Sequence, residues 1–314
     1  MSVFLPTLNQ MGYLFSLIII GFVLVKYKIV PENSATVLSK LENTLFVPCL
    51  MLGTFAGNFT PERLSVYGIA VLAGFVLGFV MLPLAIFLPK LLSKDEFTRN
   101  VYTYGIEFAN FGFMGNAVVS AVFPEIFTEY LIFTIPLYIM IYMWAVPYLL
   151  IPSKEKGGII SSLKNLANPM FVGVIIGMLL GIFCIKLPPF LDSVITISGN
   201  CMSPIAMLLT GMTVALSDMK KMFKNAGVYF LSFIRLVVIP LVFIGIFSIL
   251  PPVIPRSVVL CTVCCVSMPL GLNTVVVPSA YGKDTSVAAG MAIVSHLLSC
   301  LTIPVVFMII TNVL

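Results

Sequence analysis

Two asparagines have the spacing most suggestive of chemistry in this chain. Asn116, in the run NFGFMGNAVV, and Asn273, in PLGLNTVVV, lie 157 residues apart in a sequence of 314. Each follows helix-breaking residues inside an apolar stretch: Gly112 and Gly115 in the first, Pro269 and Gly271 in the second. Proline removes a backbone donor and clashes with the preceding turn, and glycine relaxes the backbone. A helix broken there exposes free N–H and C=O groups, and the N-terminal end of the following half carries partial positive charge that suits an anion, commonly a carboxylate. The candidate substrate-binding set is therefore Asn110, Gly112, Gly115 and Asn116 on one stretch, and Ser267, Pro269, Gly271, Asn273 and Thr274 on the other. The chemistry is binding and release.

Three ionisable residues fall inside apolar runs, where such groups are costly and face a cavity or a partner. Glu107 precedes Asn116 by about two turns and could bind a proton or help hold Na⁺. Arg235 lies eleven residues past Lys224, about 15 Å deep at ~1.5 Å per residue. Its expected partner is Glu107 or a substrate carboxylate. His296 is the only histidine, and its intrinsic pKa suits proton coupling; the competing reading is a satisfied packing residue. These three are the ion-coupling candidates, with Na⁺ drawing further oxygens from Asn110 and Ser267. Glu42, at the end of an apolar run, reads as an interface residue.

Other motifs carry less. Cys261, Cys264 and Cys265 make a CxxCC run, but no second Cys/His pair completes a four-ligand metal site, so they read as small packing residues. Gly173, Gly177 and Gly181 form a double GxxxG, and Gly53/Gly57 and Gly74/Gly78 form single ones, a pattern for close helix packing. Ser217 and Lys220 match S-x-x-K at the edge of a basic loop and read as chance. No HExxH, GxSxG, Walker or dinucleotide pattern appears. No metal, cofactor or enzymatic activity is expected.

The elements that must position these residues follow from composition. Hydrophobic residues make up 60% and charged residues 9%, against roughly 25% charged in a soluble domain. Apolar stretches repeatedly reach the ~18 residues that span a bilayer. Ten spans are expected, near 8–26, 35–57, 64–89, 99–123, 127–151, 166–186, 193–216, 226–250, 257–281 and 286–312. No Lys or Arg precedes the run from Met11 to Val25, so it reads as a retained helix and not as a signal peptide. Thirteen Lys and Arg fall in the odd-numbered loops, among them Lys26, Lys90, Lys154, Lys220 and Lys283, against Arg63, Lys186 and Arg256 opposite. That bias places the odd loops in the cytoplasm and both termini outside a cell membrane. The formal charge of +5 is thus a topology signal, and scattered basic residues without aromatic interleaving argue against nucleic acid.

The halves repeat. Pro83 in VMLPLAIF matches Pro240 in VVIPLVFI, and Pro147 matches Pro304, each at 157 residues; Pro48 matches Pro204 at 156. Residues 1–152 and 166–314 would be five-span repeats joined by a short connector at 153–165. An odd number of spans forces the second repeat to enter the membrane inverted. A duplicated, broken-helix membrane chain points to a secondary transporter with its site where the breaks meet.

The paired LFVPCLML and MSPIAML segments, NFGFMGN in the fourth span and MPLGLNTVVVPSAYGKD in the ninth resemble the auxin efflux carrier family, which includes plant PIN-formed carriers and bacterial permeases for malate or malonate. The resemblance covers essentially the whole chain. It implies an all-α membrane fold of two inverted five-helix repeats whose fourth and ninth helices cross at their breaks. It also implies a scaffold domain from spans 1, 2, 6 and 7, a transport domain from spans 3–5 and 8–10, and a homodimer. Substrate at the crossover falls on Asn116 and Asn273. Ala117 stands where many relatives carry proline, so the first break rests on Gly112 and Gly115. The short connector departs from the long-looped plant carriers.

The expected function is secondary active transport of a small organic anion, a mono- or dicarboxylate, coupled to H⁺ through Glu107 or His296, or to Na⁺. A cation/proton antiporter needs several central carboxylates, and only Glu107 qualifies. An intramembrane enzyme would need His296 beside a Ser or Cys nucleophile, and a receptor would bind without transport.

Overall fold

Proline shapes these helices as much as hydrophobicity does. The computed structural model describes residues 3–151, 167–216, 225–249, 254–280 and 283–313. The connector at 153–165, the S-x-x-K pair Ser217 and Lys220, and Lys154, Lys156, Lys164, Lys221 and Lys224 lie outside the described residues. Within them the regular structure is helical: α1 (Phe4–Lys26), α2 (Ser34–Asn58), α3 (Pro61–Leu92), α4 (Glu96–Glu107), α5 (Phe111–Val122), α6 (Pro124–Leu150), α7 (Pro169–Ile182), α8 (Pro189–Ala215), α9 (Ala226–Ile249), α10 (Arg256–Val266), α11 (Asn273–Ala280) and α12 (Ser286–Val313). A lone antiparallel bridge joins Ala109 to Leu270.

Seven of these helices, α1, α2, α3, α6, α8, α9 and α12, are long and apolar enough to cross a membrane, and they match seven of the ten expected spans. The expected sixth span is a 14-residue helix, α7. The fourth and ninth are each divided, into α4–α5 and α10–α11. Large apolar side chains such as Leu72, Phe79, Phe183, Ile197 and Leu301 lie outermost, as on a body that faces lipid and not water.

Four helices carry π-helical turns: Glu42–Phe46 in α2, Phe111–Gly115 at the start of α5, Ile141–Leu150 in α6 and Ile234–Val238 in α9, and three of them, all but that of α5, lie just before or around a proline. The residue four before Pro48, Pro147 or Pro240 lies within the turns of α2, α6 and α9. Proline clashes with the carbonyl four residues back and cannot bond to it, and one wide turn relieves the conflict without ending the helix. The start of α4 is set by Asp95, whose carboxylate accepts from the Thr98 backbone N–H at 2.7 Å. That bond holds the Asp95 carboxyl below the usual carboxylate range.

Helices close on one another at small residues. Gly21 of α1 meets the Leu208 carbonyl of α8, and Gly211 of α8 meets the Ile18 carbonyl of α1. Gly173, Gly177 and Gly181 of α7 lie against α2, where added β-carbons would stand 2.6 Å from the Pro48 carbonyl oxygen, 2.8 Å from that of Leu52 and 2.6 Å from that of Phe59. On α6, Gly74 of α3 meets the Phe133 carbonyl and Gly78 meets the Met140 side chain. Gly57, expected to share this role, faces open space, because it falls on the opposite side of the last turn of α2 from the seam. Cys261, Cys264 and Cys265 are buried in the α10 core.

The α2–α7 seam gives a direct test. Gly177→Val is expected to destabilise the protein by about 1–3 kcal/mol through overpacking. Gly57→Ala should stay within ~0.5 kcal/mol. Thermal unfolding of purified protein in detergent checks both.

Candidate functional site at the helix crossing

Where α4–α5 and α10–α11 are interrupted, their unwound backbones pair. Helix α4 ends at Glu107, and Phe108 is extended, with φ −117° and ψ 111°. The Asn110 N–H donates to the Pro269 carbonyl at 2.7 Å beside the Ala109–Leu270 bridge. The first break therefore falls at 108–110, a turn earlier than Gly112 and Gly115 suggest. Its cause is backbone pairing with the other break, a long-range contact that local glycine content does not encode. The two glycines instead admit tyrosines: a β-carbon on Gly112 would collide with the Tyr138 hydroxyl, and one on Gly115 with that of Tyr130. Asn116 consequently stands in the second turn of α5, whereas Asn273 begins α11.

A cavity of about 270 Å³ lies at this crossing. Both downstream half-helices present their N-terminal ends to it: Phe111, Gly112 and Phe113 of α5, and Gly271, Leu272 and Asn273 at the start of α11. Asn110 and Asn116 also line it, so of the nine expected substrate-binding residues the structure brings together Asn110, Gly112, Asn116, Gly271 and Asn273. Gly115, Ser267, Pro269 and Thr274 do not line it. The Ser267 hydroxyl donates to the Val263 carbonyl at 2.6 Å and that of Thr274 to Gly271 at 2.9 Å, so both close the break locally.

The amides are held in place. Asn273 Nδ2 donates to the Tyr104 hydroxyl at 2.8 Å. The His296 ring spans the Ala292 carbonyl, 2.7 Å from Nδ1, and Asn110 Nδ2, 3.0 Å from Nε2. A nitrogen facing a carbonyl must carry the proton, so Nδ1–H donates and Nε2 of the neutral ring accepts the Asn110 amide. His296 sits behind the cavity wall and orients Asn110. Asn116 Oδ1 is buried without a hydrogen-bond partner among the described residues.

Glu107 and Arg235 lie at the opposite ends of the broken helices. Glu107 is 5% exposed, and neither carboxylate oxygen has a partner among the described residues. Arg235, 3% exposed, does not form the expected ion pair with it. The guanidinium donates to backbone carbonyls: Ile106 at 2.8 Å, Met268 at 3.4 Å and Cys265 at 3.5 Å. It therefore binds the C-terminal ends of α4 and α10, whose last carbonyls have no partner within the helix. Glu42 is fully buried in α2, with both oxygens unpartnered among the described residues.

Sequence reasoning missed Tyr104, Tyr138, Tyr142, Asn43, Asn168, Met170 and Met202, all of which line the cavity. Tyr138 and Tyr142 are spaced i,i+4, which puts them on one helix face, and that was the available signal. Asn168 caps α7 through the Phe171 N–H at 3.2 Å, a local role that hides its place at the cavity.

Interrupted helices that meet around a cavity inside an apolar helical body are the construction of a membrane transporter. The family model described as membrane transport protein, that of the auxin efflux carriers, matches residues 6–307. The chain belongs to this family and is a multi-pass membrane transporter. Comparison with curated proteins gave no match.

Removing the acceptor behind Asn110 should be measurable. His296→Leu is expected to cost about 1–3 kcal/mol of stability, since it strands a buried amide donor. His296→Gln, whose side-chain oxygen can accept the same bond, should recover part of that loss in the same thermal unfolding assay.

Proposed function

We propose that this transporter moves a small organic anion, a mono- or dicarboxylate, by alternating access at the crossing of α4–α5 with α10–α11. The observation that carries this reading is the convergence of two half-helix N-termini on one cavity. No Lys, Arg or His lines that cavity among the described residues, so an anion there would be met by helix ends and by the neutral donors of Asn116, Tyr138 and Tyr142.

Alternating access is supported by a second cavity of about 420 Å³, lined by Gln10, Tyr13, Asn200, Ser203 and Pro204 together with Asn116. Asn116 is thus common to both cavities. Residues of the second cavity are repeat partners of the first's: Asn200 stands 157 residues from Asn43, Met170 157 from Tyr13, and Asn168 158 from Gln10. That correspondence favours ten spans in two inverted repeats, 1–152 and 166–314. The reciprocal seams of α1 with α8 and α2 with α7 fit a scaffold of spans 1, 2, 6 and 7 against a transport domain of spans 3–5 and 8–10. In this reading the protein is a homodimer in the cell membrane with both termini extracytoplasmic. A proton carried at Glu107 couples the flux, and His296 positions Asn110.

The test is thermal stability of the purified protein against a panel of small carboxylates at pH 5.5 and 7.5. A carboxylate at ~100 times its Kd should stabilise the wild type by about 2.7 kcal/mol and leave the Asn116→Ala/Asn273→Ala variant unshifted. A wild type that answers to pH alone, and to no carboxylate, would favour a cation/proton antiporter instead.

A further inference from the structure

The Arg235 side chain gathers three backbone carbonyls from two broken helices. Ile106 lies in the last turn of α4, Cys265 in the last turn of α10, and Met268 in the unwound segment that follows. Their oxygens stand 2.8, 3.5 and 3.4 Å from guanidinium nitrogens. Helix C-terminal ends carry partial negative charge. Unwound carbonyls and half-helix C-terminal ends are also the ligands that hold Na⁺ in broken-helix transporters. Here one positive charge delivered from α9 stands among them.

Three further observations point to the same place. The Glu107 carboxyl, next in sequence to Ile106, is buried with both oxygens unpartnered among the described residues, so an acidic side chain without a partner adjoins one of the three carbonyls. The void beside Arg235 is bordered by Ser232 and Ser295, and its free volume is about 0 Å³, which leaves no room for an ion or a water while the side chain is present. Arg235 itself projects from the π-helical turn Ile234–Val238, the wide turn that accommodates Pro240, so the proline places the guanidinium's point of departure from α9.

We propose that Arg235 is a tethered cation: its guanidinium fills a site built for Na⁺, ties α4 to α10 through Ile106, Cys265 and Met268, and makes transport independent of Na⁺. Ile106, Cys265 and Met268 carbonyls, with the Glu107 carboxylate, form a latent cation site that opens when the side chain is removed. The inference rests on the broken-helix transporter reading above and argues against Na⁺ as its coupling ion.

The experiment is thermal unfolding of the purified protein in NaCl against N-methyl-D-glucamine chloride at equal ionic strength, with no carboxylate present. The wild type should show no Na⁺-specific shift. Arg235→Ala should melt lower than wild type without Na⁺, and rise by about 2 °C or more with Na⁺. Millimolar guanidinium ion should raise the variant and not the wild type. Adding Glu107→Gln should shrink the Na⁺ response. If Arg235→Ala is not recovered as folded protein, Arg235→Gln, uncharged and of intermediate length, is read by the same criteria. A Na⁺-specific rise in the wild type overturns the proposal, and so does a folded variant that answers to neither cation. Because no organic anion is used, failure of the carboxylate assignment leaves these results standing and is seen separately.

Discussion

An interrupted helix in an apolar medium must find partners for its free backbone groups, and the rest of this structure is arranged around that demand. Water is not available at such depth, and each unsatisfied group costs several kcal/mol. The two breaks answer part of the demand with each other, through the Asn110–Pro269 hydrogen bond and the Ala109–Leu270 bridge. Arg235 answers for the C-terminal ends of α4 and α10. The N-terminal ends of α5 and α11 are left facing a cavity. The same geometry that stabilises the crossing therefore leaves a pair of positive helix ends facing the cavity, with the Arg235 cation at the opposite, C-terminal ends.

The surrounding helices hold that crossing at a fixed distance from the rest of the molecule. Glycines at 21 and 211, and at 173, 177 and 181, let backbones approach closely, so α1, α2, α7 and α8 form a tight body. Small-residue seams are the available means of tight packing where no hydrophobic driving force separates helix from lipid. The cavities lie between this body and the helices that carry the breaks, and Asn116 faces both. In the proposed alternating-access reading, displacement of one body along the other exchanges which cavity reaches the asparagine.

Much of this was legible in the sequence. Apolar run lengths placed seven long helices to within a few residues, and the 157-residue offset of Asn116 and Asn273, with the helix breakers beside them, singled out Asn110, Gly112, Asn116, Gly271 and Asn273 as residues of one place. What escaped was long-range. The first break sits at 108–110 because it pairs with Pro269, not because of Gly112 and Gly115. Arg235 binds carbonyls and not Glu107, since helix ends without partners are invisible until the crossing is known. Tyr104, Tyr138 and Tyr142 looked like ordinary aromatic membrane residues. Their distinction, hydroxyls turned toward the cavity or toward Asn273, depends on which helix face is interior.

The central claim is that one crossing is flanked by two mouths, related by the repeat, that open to opposite faces of the membrane. Single cysteines at Asn43 and Asn200, introduced in a background whose seven native cysteines are replaced, would test it by labelling with a membrane-impermeant thiol reagent in sealed, uniformly oriented vesicles. The account predicts that one position reacts from outside and the other only after the vesicles are opened. Labelling of both positions from the same face would contradict it.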